Sequence, residues 1–352
     1  MGQKNQLGNF FEDFRMGQIL THATPRTIST GDVALYTALT GSRFAVSSAD
    51  SFAQAMGLAR APVESLLAFN MVFGKTVPDI SLNAIANLGY AAGRFGELVY
   101  PGDTIVSESE VIGLKENRDG KTGVVYVRSR GSNQRGETVL DYCRWVMVRK
   151  RDPAAPAPPA SVPELPSSVP ASDLIVPAGL RFDNYHCALA GNLNLWDDYQ
   201  KGERIDHVDG MTIEESDHML ATRLYQNTAR VHFNQYAEKS GRFGRRIVYG
   251  GCVISLARAL SFNGLANAFC LVAINAGRHV APAFAGDTVF AWSEVIDTLR
   301  LPGRSDVAAL RLRTVATKDR PCADFPDRQA DGSYDPSVLL DLDYTVLMPT
   351  RA

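Results

Sequence analysis

The chain has 352 residues, 45% hydrophobic and 21% charged, which is enough to bury one large core or two ordinary ones. Its net charge of −2 and isoelectric point near 6.3 exclude a global field that would draw in nucleic acid or an anionic membrane. No apolar run approaches the roughly 20 residues that a membrane-spanning helix needs.

The opening MGQKNQLGNFFEDF lacks the apolar region of a signal peptide. Met1-Gly2 alone is a weak acylation signal, and Asn5 and Gln6 argue against it. A short segment of FxDFxxG character, 11-FEDFRMGQ-18, precedes a helical stretch over 32–41 and a loop. A longer apolar helix is expected over 63–76. Strands follow over 86–95, 104–116, 122–133 and 138–150, where β-branched and aromatic residues partly alternate with polar ones. Residues 151–172 carry prolines at 153, 156, 158, 159, 163, 166 and 170, which forbid a regular helix or strand and predict an extended, semi-rigid linker over the surface.

The same order then returns. Helices are expected over 217–226 and 248–262, and strands over 268–278, 288–301, 307–318 and 338–350, with a polar insertion at 319–335. The segment 196-WDDYQKGE-203 repeats 11-FEDFRMGQ-18 at an offset of 185 (196 − 11), and His22 falls on His207. After a slip of one residue, 277-GRHVAPAFAGDT-288 repeats 93-GRFGELVYPGDT-104. One offset sustained over a hundred residues marks a duplication. The boundaries expected are a domain over 1–150, the linker over 151–172 and a second domain over 173–352. One long helix followed by antiparallel strands gives each an α+β fold whose sheet wraps around that helix.

Cys143, Cys187, Cys252, Cys270 and Cys322 are odd in number and scattered, a pattern of reduced thiols that points to the cytoplasm. The six histidines show no metal-ligand spacing, so neither a metal nor a cofactor is expected. Gly102-Asp103 and Gly286-Asp287 read as β-turns.

This order, with the phrases 97-ELVYPGDT-104 and 279-HVAPAFAGDT-288, resembles the MaoC-like hydratases. The resemblance implies a double hotdog fold, an acyl-CoA thioester as partner and reversible hydration of its double bond. It extends over FFEDFRMGQ and HATPRTISTGDVALYTALTGSRFAV to nearly the whole chain, where it is similar to members acting on an acyl group with a second carboxylate. The family's loop places a histidine five residues after an aspartate. In 225-YQNTARVHFNQYAE-238, His232 matches the histidine and Asn227 stands for the aspartate. The first copy, 40-TGSRFAVSSADSFAQ-54, has Ser42 and Ser47 at those places, so it is expected to bind substrate without performing chemistry.

Hydration needs a base for water, a proton for the α-carbon and donors for the thioester oxygen. His232 fits the first two roles, with Asn227 orienting the water; Asp217 or Glu238 are the alternative second acid/base. Gly250-Gly251 opens the apolar helix of the second copy, either as the oxyanion donor or for tight packing. Arg43 and Arg230 are candidates for the extra carboxylate, and Arg242, Arg245 and Arg246 for the CoA phosphates. The competing functions are a hotdog acyl-CoA thioesterase and a non-catalytic acyl-CoA-binding protein. A homodimer is expected by analogy.

Overall fold

The computed structural model describes residues 4, 5 and 7–351, so the Met1-Gly2 signal lies outside the described residues. In the first copy the order is β1 (Ile19–Thr27), α1 (Thr30–Thr40), the short helices α2 (Ala45–Ser48) and α3 (Asp50–Ala55), and the long α4 (Ser65–Thr76). Strands β2 (Ala84–Phe95), β3 (Thr104–Glu116), β4 (Thr122–Ser132) and β5 (Thr138–Arg149) complete it. A single turn, α5 (Cys187–Ala190), precedes the second copy. That copy runs β6 (Arg204–Thr212), α6 (Glu215–Leu224), α7 (Arg230–Phe233), α8 (Gln235–Glu238) and α9 (Gly250–Leu260). It continues with α10 (Phe262–Leu265), β7 (Cys270–His279), β8 (Thr288–Arg300), β9 (Val307–Lys318) and β10 (Val338–Pro349).

All ten strands form one antiparallel sheet in the order β1-β3-β4-β5-β2-β7-β10-β9-β8-β6. The halves repeat each other and meet at β2–β7, where Tyr90 pairs with Gly277 and Arg94 with Ala273. Each half wraps one helix: Leu66–Thr76 of α4 and Gly251–Ala259 of α9 are buried on every side. β3 shows which face of the sheet lies on the helix. Ile105, Ser107, Ser109 and Val111 face inward and are buried, whereas the intervening Val106, Glu108 and Glu110 are exposed.

The strands β1 and β6 were not expected. Both are polar edge strands, where one row of backbone groups needs no partner and Pro25 is tolerated. Each carries one of the duplicated histidines. His22 bonds Asp79 Oδ2 through Nδ1 (2.7 Å) and Ser109 Oγ through Nε2 (2.8 Å). His207 bonds the Asn263 carbonyl through Nδ1 (2.7 Å) and Ser293 Oγ through Nε2 (2.8 Å). These two histidines tie the outer strand of each half to the layer beneath it.

Burial lowers the pKa of His207 to about 4. The unfolded chain takes up this proton below about pH 6.5, but the folded chain only near 4. The stability held in the neutral ring is therefore complete above pH 6.5 and is lost as pH falls toward 4. At pH 5 the loss from His207 alone is expected to be about 2 kcal/mol. Urea unfolding should show a clearly lower midpoint at pH 5 than at pH 7; equal midpoints would contradict this.

Residues 151–170 follow the surface without helix or strand, pinned where Ser161 bridges Leu114 (N–H to carbonyl, 2.8 Å both ways) and where Val169 N–H meets Asn275 Oδ1 (2.8 Å). The 319–335 insertion is held by Arg313, which bonds both Asp327 and Asp341, and by Trp292 Nε1 donating to the Pro326 carbonyl (3.0 Å). Among the described residues, no helix is long and apolar enough to cross a membrane.

Candidate active site

The segment between α6 and α9 begins with a left-handed Gln226 (φ 54°) and the buried Asn227. Asn227 N–H donates to the Thr222 carbonyl (3.0 Å), and its Oδ1 accepts from Ala229 N–H (3.0 Å). The side-chain oxygen thus shapes the turn into α7. Only a glycine fits at position 74 of α4, because a Cβ there would overlap the Tyr225 carbonyl. The loop is therefore seated directly on the central helix of the first copy.

α7 presents His232, a half-buried residue whose Nδ1 lies 3.0 Å from the Ile247 carbonyl. A carbonyl only accepts, so Nδ1 carries the proton of the neutral ring and Nε2 keeps its lone pair. Burial lowers the pKa of His232 to about 4, so the ring is neutral at pH 7. It packs against the Tyr249 ring (centroids 5.5 Å apart, planes at 60°).

Tyr249 is the N-cap of α9, and no side chain caps this helix. Cys252 N–H turns back to the Tyr249 carbonyl (2.8 Å), while the N–H groups of Gly250 and Gly251 precede the helical ladder and have no acceptor within it. A Cβ on Gly250 would overlap the His279 ring, and one on Gly251 would overlap Asn70 Oδ1 and the Tyr249 ring. Close packing thus demands both glycines, and their free N–H groups sit at the positive end of the helix dipole.

His232, Gly250 and Gly251 are brought together around Tyr249, with Asn227 at the base of the same loop. The arginines are placed differently. Arg230 is an exposed residue at the start of α7. Arg43 lies over Phe262 (4.5 Å) in a separate polar groove of about 490 Å³ with His207, Asp209 and Asn263. Arg242 and Arg245 are exposed over Phe243 (5.0 Å) and Phe284 (3.9 Å), and Arg246 is paired with Glu215. Asp217 and Glu238 are half-buried, on α6 and α8.

Sequence reasoning did not single out His279, Tyr90, Tyr249 or Asn70. His279 ends β7, bonds the Tyr90 hydroxyl through Nε2 (3.1 Å) and has its pKa lowered to about 4, by burial first and then by His232. Asn70 comes from α4, donates to Ser255 Oγ (3.1 Å) and leaves Oδ1 unpartnered at Gly251. The available signal was a lone amide in the apolar run LLAFNMVF, and a histidine opening the HVAPAFAGDT phrase.

In the first copy the corresponding places are built differently. Ser42 donates to Glu64, whose carboxyl is pushed up by burial. The half-buried Ser47 and Ser65 line, with Pro177, Leu180 and Phe269, a cavity of about 20 Å³.

Two fused hotdog units sharing one antiparallel sheet are the architecture of the MaoC-like hydro-lyases. The family model of mesaconyl-CoA hydratase matches residues 2–326, and the chain belongs to that family. It is 68% identical over 351 residues, the full length of both chains, to β-methylmalyl-CoA dehydratase from Chloroflexus aurantiacus. It is 61% identical to mesaconyl-CoA hydratase from Cereibacter sphaeroides, over 98% of this chain and 99% of the relative. A solved MaoC domain dehydratase from Chloroflexus aurantiacus superposes with a TM-score of 0.98 at 68% identity over the whole of both chains. A Mycobacterium tuberculosis protein with a double hotdog fold superposes at 0.73 with 23% identity, over 97% of this chain and 99% of that one, a likeness of fold.

Proposed function

We propose that the protein reversibly adds water to mesaconyl-CoA to give β-methylmalyl-CoA, with His232 as acid and base. The observation that carries this reading is the neutral His232 with a free Nε2 beside an uncapped α9. Nε2 takes a proton as water oxygen attacks the β-carbon. The alkene electrons move onto the thioester oxygen, which accepts from the N–H groups of Gly250 and Gly251. The enolate then collapses, and protonated His232 returns the proton to the α-carbon. One group suffices, because the proton taken from water is the proton delivered. Asn227 holds the loop through Oδ1, and its amide nitrogen is the group available to orient the water.

The test is to follow ultraviolet absorbance of the conjugated thioester together with free thiol. Loss of absorbance without thiol supports hydration; thiol release would mean a thioesterase, and binding without either change an acyl-CoA-binding protein.

The CoA phosphates are assigned to Arg242 and Arg245, whose guanidinium groups are exposed just ahead of α9. Arg246, already paired with Glu215, is the weaker of the three candidates. Arg245→Ala is expected to raise KM about fivefold while kcat stays within twofold, the pattern of a uniform binding contact. Steady-state kinetics decide it; an unchanged KM would remove Arg245 from the site.

A further inference from the structure

Arg144 on β5 is 0% exposed. Its Nη2 donates to Thr76 Oγ1 (2.7 Å) and reaches Ser81 Oγ (3.4 Å), but Nε and Nη1 have no acceptor among the described residues. The groups that surround its charge are phenols, those of Tyr90, Tyr142 and Tyr249. Other buried cations are better provided for. Lys150 meets Glu116 (2.6 Å), Lys75 donates to the Thr24 carbonyl, and Arg258 to Ser261 Oγ (3.0 Å) and the Ala268 carbonyl. A buried guanidinium with unused donors is a costly arrangement unless an anion arrives to meet it.

Its position says which anion. The guanidinium lies over the Phe73 ring (4.2 Å), Phe73 packs on Tyr249 (5.5 Å), and Tyr249 packs on His232. The Tyr249 hydroxyl, between the two, makes no hydrogen bond among the described residues. Tyr90 reaches from the same cluster to His279, the end of β7, whose ring abuts Gly250 at the start of α9. The cation is thus two aromatic rings from the acid/base, contributed by the first copy across from the second.

We propose that Arg144 is the specificity residue that receives a free carboxylate borne by the acyl group, with the Tyr249 hydroxyl as a further donor. This rests on the hydratase reading above. A mesaconyl thioester carries its carboxylate on the alkene carbon remote from the carbonyl, so the rigid double bond holds the two ends apart. With the thioester oxygen on Gly250 and Gly251, the carboxylate points past Tyr249 into the cluster. A planar fork suits a carboxylate, and the low-polarity surroundings strengthen the pair. The first copy, without an acid/base of its own, would in this way select the substrate.

The experiment compares wild type, Arg144→Met and Arg144→Lys on mesaconyl-CoA and on the E-2-methyl-2-butenoyl thioester, in which a methyl replaces the carboxylate. In Arg144→Met, kcat/KM for mesaconyl-CoA is expected to fall by about a hundredfold or more, the scale of losing one partner of a buried charge pair. The methyl analogue should change less than about threefold, and the unfolding temperature should stay level or rise once the unpaired cation is gone. Arg144→Lys keeps the charge without the fork; it should show a smaller loss, again confined to mesaconyl-CoA, and it decides the matter if the Met variant does not fold. Equal losses on both thioesters, or no loss on mesaconyl-CoA, would overturn the assignment while leaving the hydratase reading intact. Wild type inactive on both would remove that reading and this one with it.

Discussion

His232→Ala is expected to lower kcat for hydration about a thousandfold, within the range that positioned acid–base groups contribute. The fold should survive, because the ring makes one hydrogen bond to the Ile247 carbonyl and is only half-buried. His232→Gln restores a donor to that carbonyl but offers no base, so it should be equally inactive and at least as stable. The pH dependence gives an independent reading. The base must be unprotonated, and burial holds its pKa near 4, so kcat/KM should stay level from pH 7 down to about 5 and fall only below that. An acid limb centred near the ordinary histidine value of about 6.5 would assign catalysis to another group.

Gly251→Ala is expected to cost activity and stability together. The added methyl would overlap Asn70 Oδ1 and the Tyr249 ring, neither of which has room to retreat in a core packed from both halves. Overpacking of this kind destabilises by about 1–3 kcal/mol. Moving Tyr249 also moves the cap of α9 and with it the two donors aimed at the thioester oxygen, so kcat should fall about a hundredfold, as for loss of an oxyanion donor. Thermal unfolding and single-turnover rates measure the two losses separately. Gly251→Ala with full activity would remove the α9 start from the reaction.

The eight core strands and four main helices were legible because their signals are local: a buried helix is apolar all round, and a half-buried strand alternates. The edge strands were not, since Ile19–Thr27 and Arg204–Thr212 are polar and their partners are distant in the chain: the Ser109 hydroxyl that His22 bonds lies 87 residues away. The candidate site divides the same way. His232 and the glycine pair could be named as candidates because each sits in a recognisable stretch of sequence. Arg144 reads locally as a charged residue on a strand, 141-DYCRWVMVRK-150, no different from its neighbour Arg149. Its significance comes from what it lacks, a carboxylate partner, and that is visible only when Thr76, Phe73 and Tyr249 are brought around it. Asn70 and His279 were hidden for the same reason, since they meet α9 from opposite halves of the chain.

The pairing of β2 with β7 has a bearing on dilution. Enzymes whose active centre needs two separate subunits lose activity when the protein is scarce, because the partners come apart by mass action. Here the half that supplies His232 and the half that supplies Asn70 are stitched through Tyr90–Gly277 and Arg94–Ala273 and are also one polypeptide. The effective concentration of one half for the other is fixed by the chain itself. On the reading proposed above, turnover per molecule is expected to stay level on dilution, with one centre for each chain.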